Sequence, residues 1–298
     1  MKFGQRADLV LQAARGMGLG VAEVEPVVNL GGFSNENFSL RGKGGRYHVK
    51  LATDGDGVSC LRQWGELRVL LAGHYRAPKA VGWIDCGPVV AGVVFEHLDG
   101  DAAQLDLGRP PRHEVAALLK QLHSDLSLAQ RWRVERSCLE FFQETFEQRL
   151  SEDLALITQA PPPFVNRAEL GWMEGELEAL CRAVQAEPLF ARPADRPIHG
   201  DPWQNNVLVG ATDWWMLDWD DLQLGDPALD FAILGIQDPA MERLDYYHWA
   251  CRLDAVIDVL ADWVEAHCLE GELQQPFRAL KEWAYRRGRE GYFRAKGQ

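Results

Sequence analysis

The sequence predicts an α+β protein with a small amino-terminal lobe, built on an antiparallel β-sheet, and a larger, mainly helical carboxy-terminal lobe. Three observations lead to this fold class: five strand-like runs before residue 96, one helical stretch inserted after the third run, and helical periodicity through most of the rest. We therefore expect two lobes, residues 1–96 and 97–298. Because strands and helices do not alternate along the chain, the pattern argues against a Rossmann fold.

The strand-like runs and the glycines between them indicate that the sheet is antiparallel. Gly42, Gly44 and Gly45 lie between the second and third runs, as in the hairpins that join antiparallel neighbours. A helix over 59–71 follows the third run, with its apolar residues in roughly helical period. The five runs cover residues 24–30, 37–41, 47–52, 80–85 and 89–95.

The remaining elements are predicted to be helical. A short amphipathic helix over 7–18 precedes the first strand, and three consecutive prolines at 161–163 break the helical pattern of the second lobe. Short strand-like pieces and a polar loop over 198–217 interrupt it again. The helices predicted in the second lobe cover 113–124, 139–158, 167–186, 241–267 and 273–294.

Composition and charge narrow the class of protein. Of the 298 residues, 47% are hydrophobic and 25% charged, as in ordinary globular enzymes. No run approaches the roughly 18 apolar residues of a membrane span, and the first six residues contain no apolar signal core, so we expect a cytosolic protein. The net charge of −13 argues against nucleic acid or an anionic membrane as a partner and is compatible with a cationic small substrate. Six scattered cysteines without C-x-x-C spacing indicate reduced thiols rather than a zinc site.

One polar segment carries the residue types of a chemical site. Residues 198–209 contain His199, Asp201 and Asn206 in the pattern His-x-Asp-x-x-x-x-Asn, and Asp218 follows the next apolar strand. One loop and the next strand end would thus bring three oxygen-bearing side chains around one point. Phosphoryl transfer needs such a group, because a carboxylate must accept the proton of the attacking hydroxyl and oxygen ligands must hold the metal ions of the triphosphate.

These motifs resemble those of the aminoglycoside phosphotransferase and choline kinase superfamily, the small-molecule branch of the protein-kinase-like fold. The segment from His199 to Asn206 is similar to the family's catalytic loop, residues 217–219 to its counterpart of the protein-kinase Asp-Phe-Gly, and residues 225–232 to its Gly-Asp-Pro-x-x-Asp-Leu-Ala helix start. The resemblance extends over most of the chain. It implies a bilobal kinase fold, Asp201 as the catalytic base, Asn206 and Asp218 as Mg²⁺ ligands, and ATP or GTP as the phosphoryl donor.

The resemblance also implies a nucleotide clamp in the first lobe. Lys50, on the third strand, takes the place of the phosphate-binding lysine, and Glu66, on the following helix, takes that of its ion-pairing partner. Taken alone, a strand lysine or a helix glutamate is usually an exposed surface charge.

Further predicted nucleotide contacts lie in a turn and in a hinge. The turn between the first two strands resembles the family's phosphate-covering turn, where glycine allows close backbone approach. The hinge over 95–98 would offer backbone groups to the purine. The residues concerned are Gly32, Ser34, Asn35, Glu96 and Leu98.

Several neighbouring residues have two interpretations. His199 is either a packed imidazole that bonds nearby backbone, which we favour, or a catalytic group. Asp226 is either an N-cap before Pro227, which we favour, or a substrate contact. Asp230 is predicted to brace the catalytic loop. Asp220 and Asp221 face the acceptor pocket or are solvated.

The acceptor is less well defined by the sequence than the nucleotide. Acidic and aromatic residues in the last helices suit a small hydroxyl-bearing acceptor that is cationic, such as choline, thiamine or an aminoglycoside. At helical spacing the same aromatics can equally form core, and the acids a solvated face. The homoserine, sugar and fructosamine kinases resemble this pattern as well. The residues are Asp238, Glu242, Asp245, Tyr246, Tyr247, Trp249, Asp262 and Trp263.

Four functions are therefore compared. A small-molecule O-kinase is the leading prediction, and an antibiotic-inactivating kinase is a special case of it. The alternative is a pseudokinase that binds nucleotide as a regulatory module. A pseudokinase is expected to have lost at least one motif residue, whereas this chain has all five, which are Lys50, Glu66, Asp201, Asn206 and Asp218. A protein kinase is disfavoured, because no Ala-Pro-Glu-like activation segment separates Asp218 from Gly225.

Overall fold

The chain is divided into two compact units, each built from two separate stretches of sequence. The computed structural model describes residues 6–27, 35–85, 90–102, 112–132, 135–266 and 274–297. We call residues 2–122 and 199–222 the sheet unit, and residues 123–198 and 223–298 the helical unit. The predicted lobes were continuous in sequence, whereas these units are not.

The sheet unit contains a five-stranded antiparallel sheet. Its strands are β1 (Val21–Val27), β2 (Asn35–Gly42), β3 (Gly45–Ala52), β4 (Ala80–Asp85) and β5 (Ala91–Glu96), in the spatial order β1-β2-β3-β5-β4. Helix α2 (Gly55–His74) is inserted after β3, and the Asp54 carboxylate caps it by accepting the Gly57 N–H at 2.8 Å. Antiparallel pairing, the single inserted helix and the helical remainder confirm the predicted fold class.

One face of this sheet is closed by helix α1 (Ala7–Gly16). Val10 and Ala14 of α1 are fully buried in one apolar cluster with alternate residues of β2 and β3, which are Phe38, Leu40, Val49 and Leu51. Truncating Phe38, Leu40 or Leu51 to alanine costs about 2–5 kcal/mol. Because successive strand residues point to opposite faces, Lys50 lies on the face away from this cluster.

A small second sheet completes the sheet unit. It pairs β6 (Asp101–Ala102), β8 (Val207–Val209) and β9 (Trp214–Met216) in the order β6-β8-β9. A 3₁₀ turn over Gln204–Asn206 leads into β8. The Arg76 carbonyl, just beyond α2, accepts the Met216 N–H at 3.0 Å and so fixes the end of β9. The first part of α3 (Arg112–His123) also belongs to this unit.

The helical unit is built on long amphipathic helices with an aromatic core. Phe142 lies at its centre, with ring centroids 5.6 Å from Phe190 and 5.5 Å from Tyr247. Asn166 and Glu169 form a capping box at the start of α7. The elements are α4 (Leu126–Ala129), α5 (Cys138–Phe142), a π-helical turn (Gln143–Gln148), α6 (Arg149–Gln159), α7 (Arg167–Ala186), a 3₁₀ turn (Pro188–Ala191), the paired strands β7 (Arg196–Ile198) and β10 (Gln223–Gly225), α8 (Ala228–Ile233), α9 (Leu244–Glu265) and α10 (Gln274–Ala295).

Most predicted elements are confirmed, with shifts at their ends. Helix α7 and strand β4 have the predicted bounds, while α2 begins four residues earlier than expected because Asp54 caps it. The first strand runs over Val21–Val27, and the last three residues predicted for it, 28–30, lie outside the described residues. No helix in the described ranges is long and apolar enough to cross a membrane.

Candidate active site

The loop that leads into β8 brings the predicted base and one predicted metal ligand together. The Asn206 side-chain amide donates to the Asp201 carboxylate at 2.8 Å and to the Asp201 carbonyl at 2.9 Å. Asp201 is half-buried. The Asn206 carbonyl accepts the Leu217 N–H at 2.7 Å. This bond ties the loop to the residue directly before Asp218.

His199 holds the same two segments from the inside. Its ring is fully buried, with Nε2 lying 3.0 Å from the Leu217 carbonyl oxygen and Nδ1 accepting the Asp201 N–H at 3.3 Å. A carbonyl on one side and an N–H on the other require the neutral tautomer with the proton on Nε2. The favoured interpretation, an imidazole that bonds nearby backbone, is confirmed.

Gly200 and Asp218 occupy backbone conformations that few residues adopt. Gly200 has φ +89°, and a Cβ there would lie 2.6 Å from the Asp221 backbone oxygen, so this position requires glycine. Asp218 has φ +58°, in the left-handed region that aspartate tolerates better than most residues. The buried ring of Trp219 donates from Nε1 to the Met216 carbonyl at 2.8 Å and so anchors the chain beside Asp218.

Lys50 projects from β3 onto two carboxylates. Its Nζ lies 2.5 Å from Asp218 Oδ1 and 2.7 Å from Asp220 Oδ2, and only 12% of its side chain is exposed. Burial lowers the pKa of Lys50, but Asp218 and Asp220 raise it by more, so the net shift is upward and the ammonium group stays charged. This is a buried cation rather than an exposed strand-edge charge.

Asp220 is the site residue whose contact with Lys50 the sequence did not predict, since it was expected either to face the acceptor pocket or to be solvated. Its Oδ2 accepts from Asn35 Nδ2 at 3.0 Å as well as from Lys50. Burial, together with Asp218, raises the pKa of Asp220 against the opposing effect of Lys50. Among the described residues, neither Asp220 Oδ1 nor Asn35 Oδ1, both buried, has a hydrogen-bond partner. The Asp-x-Asp spacing was the available signal, because it places a second carboxylate two residues from the predicted metal ligand.

Glu66 is not brought to Lys50 in this structure. Glu66 is exposed on α2, and the ion pairs of Lys50 within the described ranges are those with Asp218 and Asp220. The role of Glu66 as the partner of Lys50 stays a prediction.

The other predicted nucleotide contacts are placed in part. Gly32 and Ser34 lie outside the described residues. The Glu96 N–H already donates to the Lys79 carbonyl at 3.0 Å, so a base contact at Glu96 would use its carbonyl oxygen. Leu98 is half-buried beyond the end of β5.

The donor set around Asp218 fits Mg²⁺. Within the part of the chain that the structure describes, no group of three or more His, Cys, Asp or Glu side chains is arranged to hold a metal. Mg²⁺ does not require such a group, since it is usually held by one or two carboxylates together with phosphate oxygens and water. Asp218, the Asn206 amide oxygen and the partnerless Asp220 Oδ1 supply oxygen ligands of the preferred type.

Two motif residues that follow the catalytic segment have structural partners in the helical unit. Asp226 is buried; its Oδ1 accepts the Ala228 N–H at 3.1 Å at the start of α8, and its carboxylate also receives two donors from Arg243. The favoured N-cap interpretation is therefore confirmed, with an ion pair in addition. Asp230 is buried and lies 2.8 Å from His123 Nε2. Its predicted bracing of the catalytic loop stays a prediction.

The acids and aromatics considered for the acceptor mostly serve the helical unit itself. Tyr247 is buried in the aromatic core, and Trp249 donates to the Tyr292 hydroxyl at 2.8 Å. Glu242 pairs with Arg192 at 2.6 Å. These contacts favour the core and surface interpretation of this group of residues.

Comparison with known proteins agrees with the motifs. A family model described as "Phosphotransferase enzyme family" matches residues 27–266. A comparison with curated protein sequences gives no match. Among solved structures, the chain is similar to an APH(2″) enzyme in complex with GDP and kanamycin, with 14% identity, a TM-score of 0.65, and coverage of 95% of this chain and 99% of that chain.

Two further solved structures have the same fold. Choline kinase from Cryptosporidium parvum is 12% identical, with a TM-score of 0.58 and 97% of both chains covered. Spectinomycin phosphotransferase in complex with ADP and spectinomycin is 14% identical, with a TM-score of 0.59 and coverage of 96% of this chain and 94% of that one. At these identities the likeness establishes the protein-kinase-like fold.

Proposed function

Because this chain belongs to the phosphotransferase enzyme family, we propose that it transfers the γ-phosphoryl group of ATP or GTP to a hydroxyl group of a small molecule. The observation that carries the proposal is the convergence within one unit of a buried lysine with Asp218 and Asp220, tied through Leu217 to the Asp201–Asn206 pair. A carboxylate, metal ligands and a phosphate-binding cation are the parts that phosphoryl transfer requires.

Asp201 is the proposed base. Its carboxylate accepts the proton of the acceptor hydroxyl as the hydroxyl oxygen forms a bond to the γ-phosphorus, and the bond from that phosphorus to the bridging oxygen breaks to release the nucleoside diphosphate. The Asn206 amide, 2.8 Å from the carboxylate, keeps it oriented. His199 holds the Asp201 N–H and so fixes the backbone on which the carboxylate is carried.

Lys50 is the proposed phosphate contact of the nucleotide. An ammonium group whose side chain is 12% exposed loses little water on binding and interacts strongly with phosphate oxygens. Asp220 orients Lys50 and is itself held by Asn35. We therefore assign Asn35 an indirect role through Asp220, besides the phosphate contact that the turn motif implies.

Asp218 and Asn206 are the proposed Mg²⁺ ligands, and Asp220 Oδ1 is a further candidate oxygen. When bound, Mg²⁺ neutralises charge on the triphosphate oxygens. The protein's part is to hold these oxygens in place, which the anchored Trp219 ring and the Leu217–Asn206 hydrogen bond accomplish.

The similar solved structures support a small-molecule acceptor, but they act on several different compounds and do not select one. One is an enzyme in complex with kanamycin and GDP, one is a spectinomycin phosphotransferase in complex with spectinomycin and ADP, and one is a choline kinase. An amine-bearing alcohol agrees with the net charge of −13. Homoserine, sugars and fructosamines are further candidate acceptors and are included in the assay described next.

Release of ADP or GDP, measured with Mg²⁺ across choline, ethanolamine, thiamine, homoserine, sugar, fructosamine and aminoglycoside acceptors, tests the proposal. We expect one acceptor class to stimulate release in the wild type and not in Asp201→Ala. Nucleotide binding without any turnover would favour the regulatory nucleotide-binding module instead. Absence of nucleotide binding would overturn the proposal.

A further inference from the structure

One tryptophan of the catalytic segment differs from its neighbours in burial. Trp214 and Trp219 are 7% and 1% exposed, and each donates its indole N–H, to Glu114 at 3.3 Å and to the Met216 carbonyl at 2.8 Å. Trp203 is 42% exposed. An indole with this much of its surface exposed keeps an aromatic face available to a ligand.

The backbone presents Trp203 in a fixed place in the catalytic loop. Trp203 follows Asp201 by two residues and precedes the 3₁₀ turn, and its carbonyl accepts the Asn206 N–H at 2.9 Å. The same Asn206 donates its side-chain amide to the Asp201 carboxylate. The exposed indole therefore stands on a loop segment whose two flanking functional residues are bonded to each other.

The catalytic segment that carries Trp203 is acidic in sequence. The stretch from His199 to Leu222 contains five aspartates and neither lysine nor arginine, and Lys50 offsets part of this charge at Asp218 and Asp220. An indole face attracts cations through its quadrupole, and nearby carboxylates strengthen the attraction. A neutral apolar ligand would gain van der Waals contact with the indole but neither of these electrostatic attractions.

We propose that Trp203 determines acceptor specificity by stacking its indole face on an ammonium group of the acceptor. The inference rests on the proposed function and refines it, because it names the acceptor class and the residue that selects it. Trp203 touches no reacting atom in this scheme. It selects the molecule whose hydroxyl is presented to Asp201.

The first test compares acceptors that differ only in charge. Choline and its uncharged isostere, in which carbon replaces the quaternary nitrogen, are assayed with wild type, Trp203→Ala and Trp203→Phe. We expect Trp203→Ala to lower kcat/KM for ammonium acceptors about tenfold, Trp203→Phe to retain most of it, and the isostere to be unaffected. The same comparison is made for ethanolamine and kanamycin against their hydroxyl analogues.

Trp283→Ala is the matched control. Trp283 is also exposed, at 55%, but lies on α10, where the Arg287 guanidinium stands 5.0 Å from its ring centroid. We expect its removal to change kcat/KM less than twofold for every acceptor. An equal loss in Trp203→Ala and Trp283→Ala would overturn the assignment.

Binding gives a readout that does not depend on turnover. In fluorotryptophan-labelled protein, the resonance absent from Trp203→Phe belongs to Trp203. We expect it to shift with choline, ethanolamine or kanamycin and not with the uncharged analogues. If the resonance shifts but no acceptor is turned over, the binding role of Trp203 is supported and the proposed kinase activity is not. If none of these ammonium compounds shifts the resonance, the role of Trp203 is overturned, whatever the turnover.

Discussion

Both units place a cation among aspartates, yet the two clusters differ in construction. In the sheet unit, Lys50 of β3 meets Asp218 and Asp220 on an irregular loop some 170 residues away. In the helical unit, Arg149 of α6 meets Asp254 and Asp258, one turn apart on α9, at 2.5 and 3.2 Å. The loop conformation positions the carboxylates of the first cluster, whereas the i, i+4 spacing of a helix positions those of the second.

This difference shows which features of an ion-pair cluster point to chemistry. Arg149 is a planar, permanently charged group that suits a lasting contact, whereas a lysine ammonium is a point charge that can shift between carboxylate and phosphate. Asp218 is also held at positive φ, and Asp220 keeps one buried oxygen without a partner. Ion pairing and shifted pKa values occur in both clusters and do not separate them.

Removing the proposed base should have the largest effect. We expect Asp201→Ala to lower kcat about a thousandfold with nucleotide affinity nearly unchanged, because only proton acceptance is lost. Asp258→Asn, from the other cluster, is the control and should retain wild-type turnover. Substantial turnover by Asp201→Ala would remove this residue from the mechanism and weaken the contrast between the clusters.

Asp218→Asn separates metal binding from backbone strain, because asparagine also tolerates the left-handed conformation. We expect Mg²⁺-dependent nucleotide affinity to fall about a hundredfold, measured by titration calorimetry with and without Mg²⁺. Affinity in the absence of Mg²⁺ should change much less. Equal affinities for wild type and variant in Mg²⁺ would contradict the ligand assignment.

Asp220→Asn and Glu66→Gln decide which carboxylate serves Lys50. Losing a charge-assisted contact to Lys50 costs about 1.5–3 kcal/mol, so we expect KM for nucleotide to rise about tenfold or more in Asp220→Asn. Glu66 is exposed, and Glu66→Gln should change KM less than twofold. The reverse order would restore the Lys50–Glu66 pair predicted from the sequence.

His48, beside Lys50 on β3, should make the sheet unit sensitive to acid. Burial, and to a smaller extent Lys50 and His97, lower the pKa of His48 from 6.5 to about 4. The folded state then binds this proton less tightly than the unfolded chain, so stability is complete above pH 6.5 and is lost as the pH falls toward 4. Between pH 8 and pH 5 this proton should lower the free energy of unfolding by about 2 kcal/mol. We expect His48→Gln to abolish that decrease, measured by urea unfolding at the two pH values. An unchanged pH slope would contradict it.

The helical unit should show the opposite and smaller dependence. Burial, with Asp254 and Asp262, raises the pKa of Asp258 from 3.8 to about 7 against the opposing effects of Arg149 and Lys281. Its stabilising effect is complete below pH 3.8 and is lost as the pH rises through 7. Half of this side chain is exposed, so solvent screening leaves about 1 kcal/mol. In the same unfolding assay, Asp258→Asn should raise the free energy of unfolding by that amount at pH 8 and leave it unchanged at pH 4.

Elements and motifs were predictable wherever the signal is local. Helix α7 is fixed by the Asn166–Glu169 capping box and its apolar spacing, and the strands by alternation and glycine turns. The pattern from His199 to Asn206 predicted a polar loop because its parts are close in sequence, and in the structure the Asn206 amide donates to the Asp201 carboxylate.

Asp220 could not be assigned from the sequence, because its role depends on partners far along the chain. Whether an aspartate is solvated or buried on a lysine is decided by tertiary packing, which here brings Asn35 and Lys50 to it from β2 and β3. Glu66 illustrates the converse, since its position in a motif does not determine the direction of its side chain. Trp203 gave no sequence signal either, because exposure is a property of the folded loop.

The discontinuity of the sheet unit has a consequence for how the protein is made. Residues 2–122 leave the ribosome first, but the 199–222 stretch that carries Asp201 and Asp218 follows only after 76 residues of the helical unit have been synthesised. Closing so long a loop delays the contacts that depend on it. A nascent chain halted before residue 199 would therefore lack every carboxylate of the active site, and no amino-terminal fragment of that length should bind nucleotide with Mg²⁺.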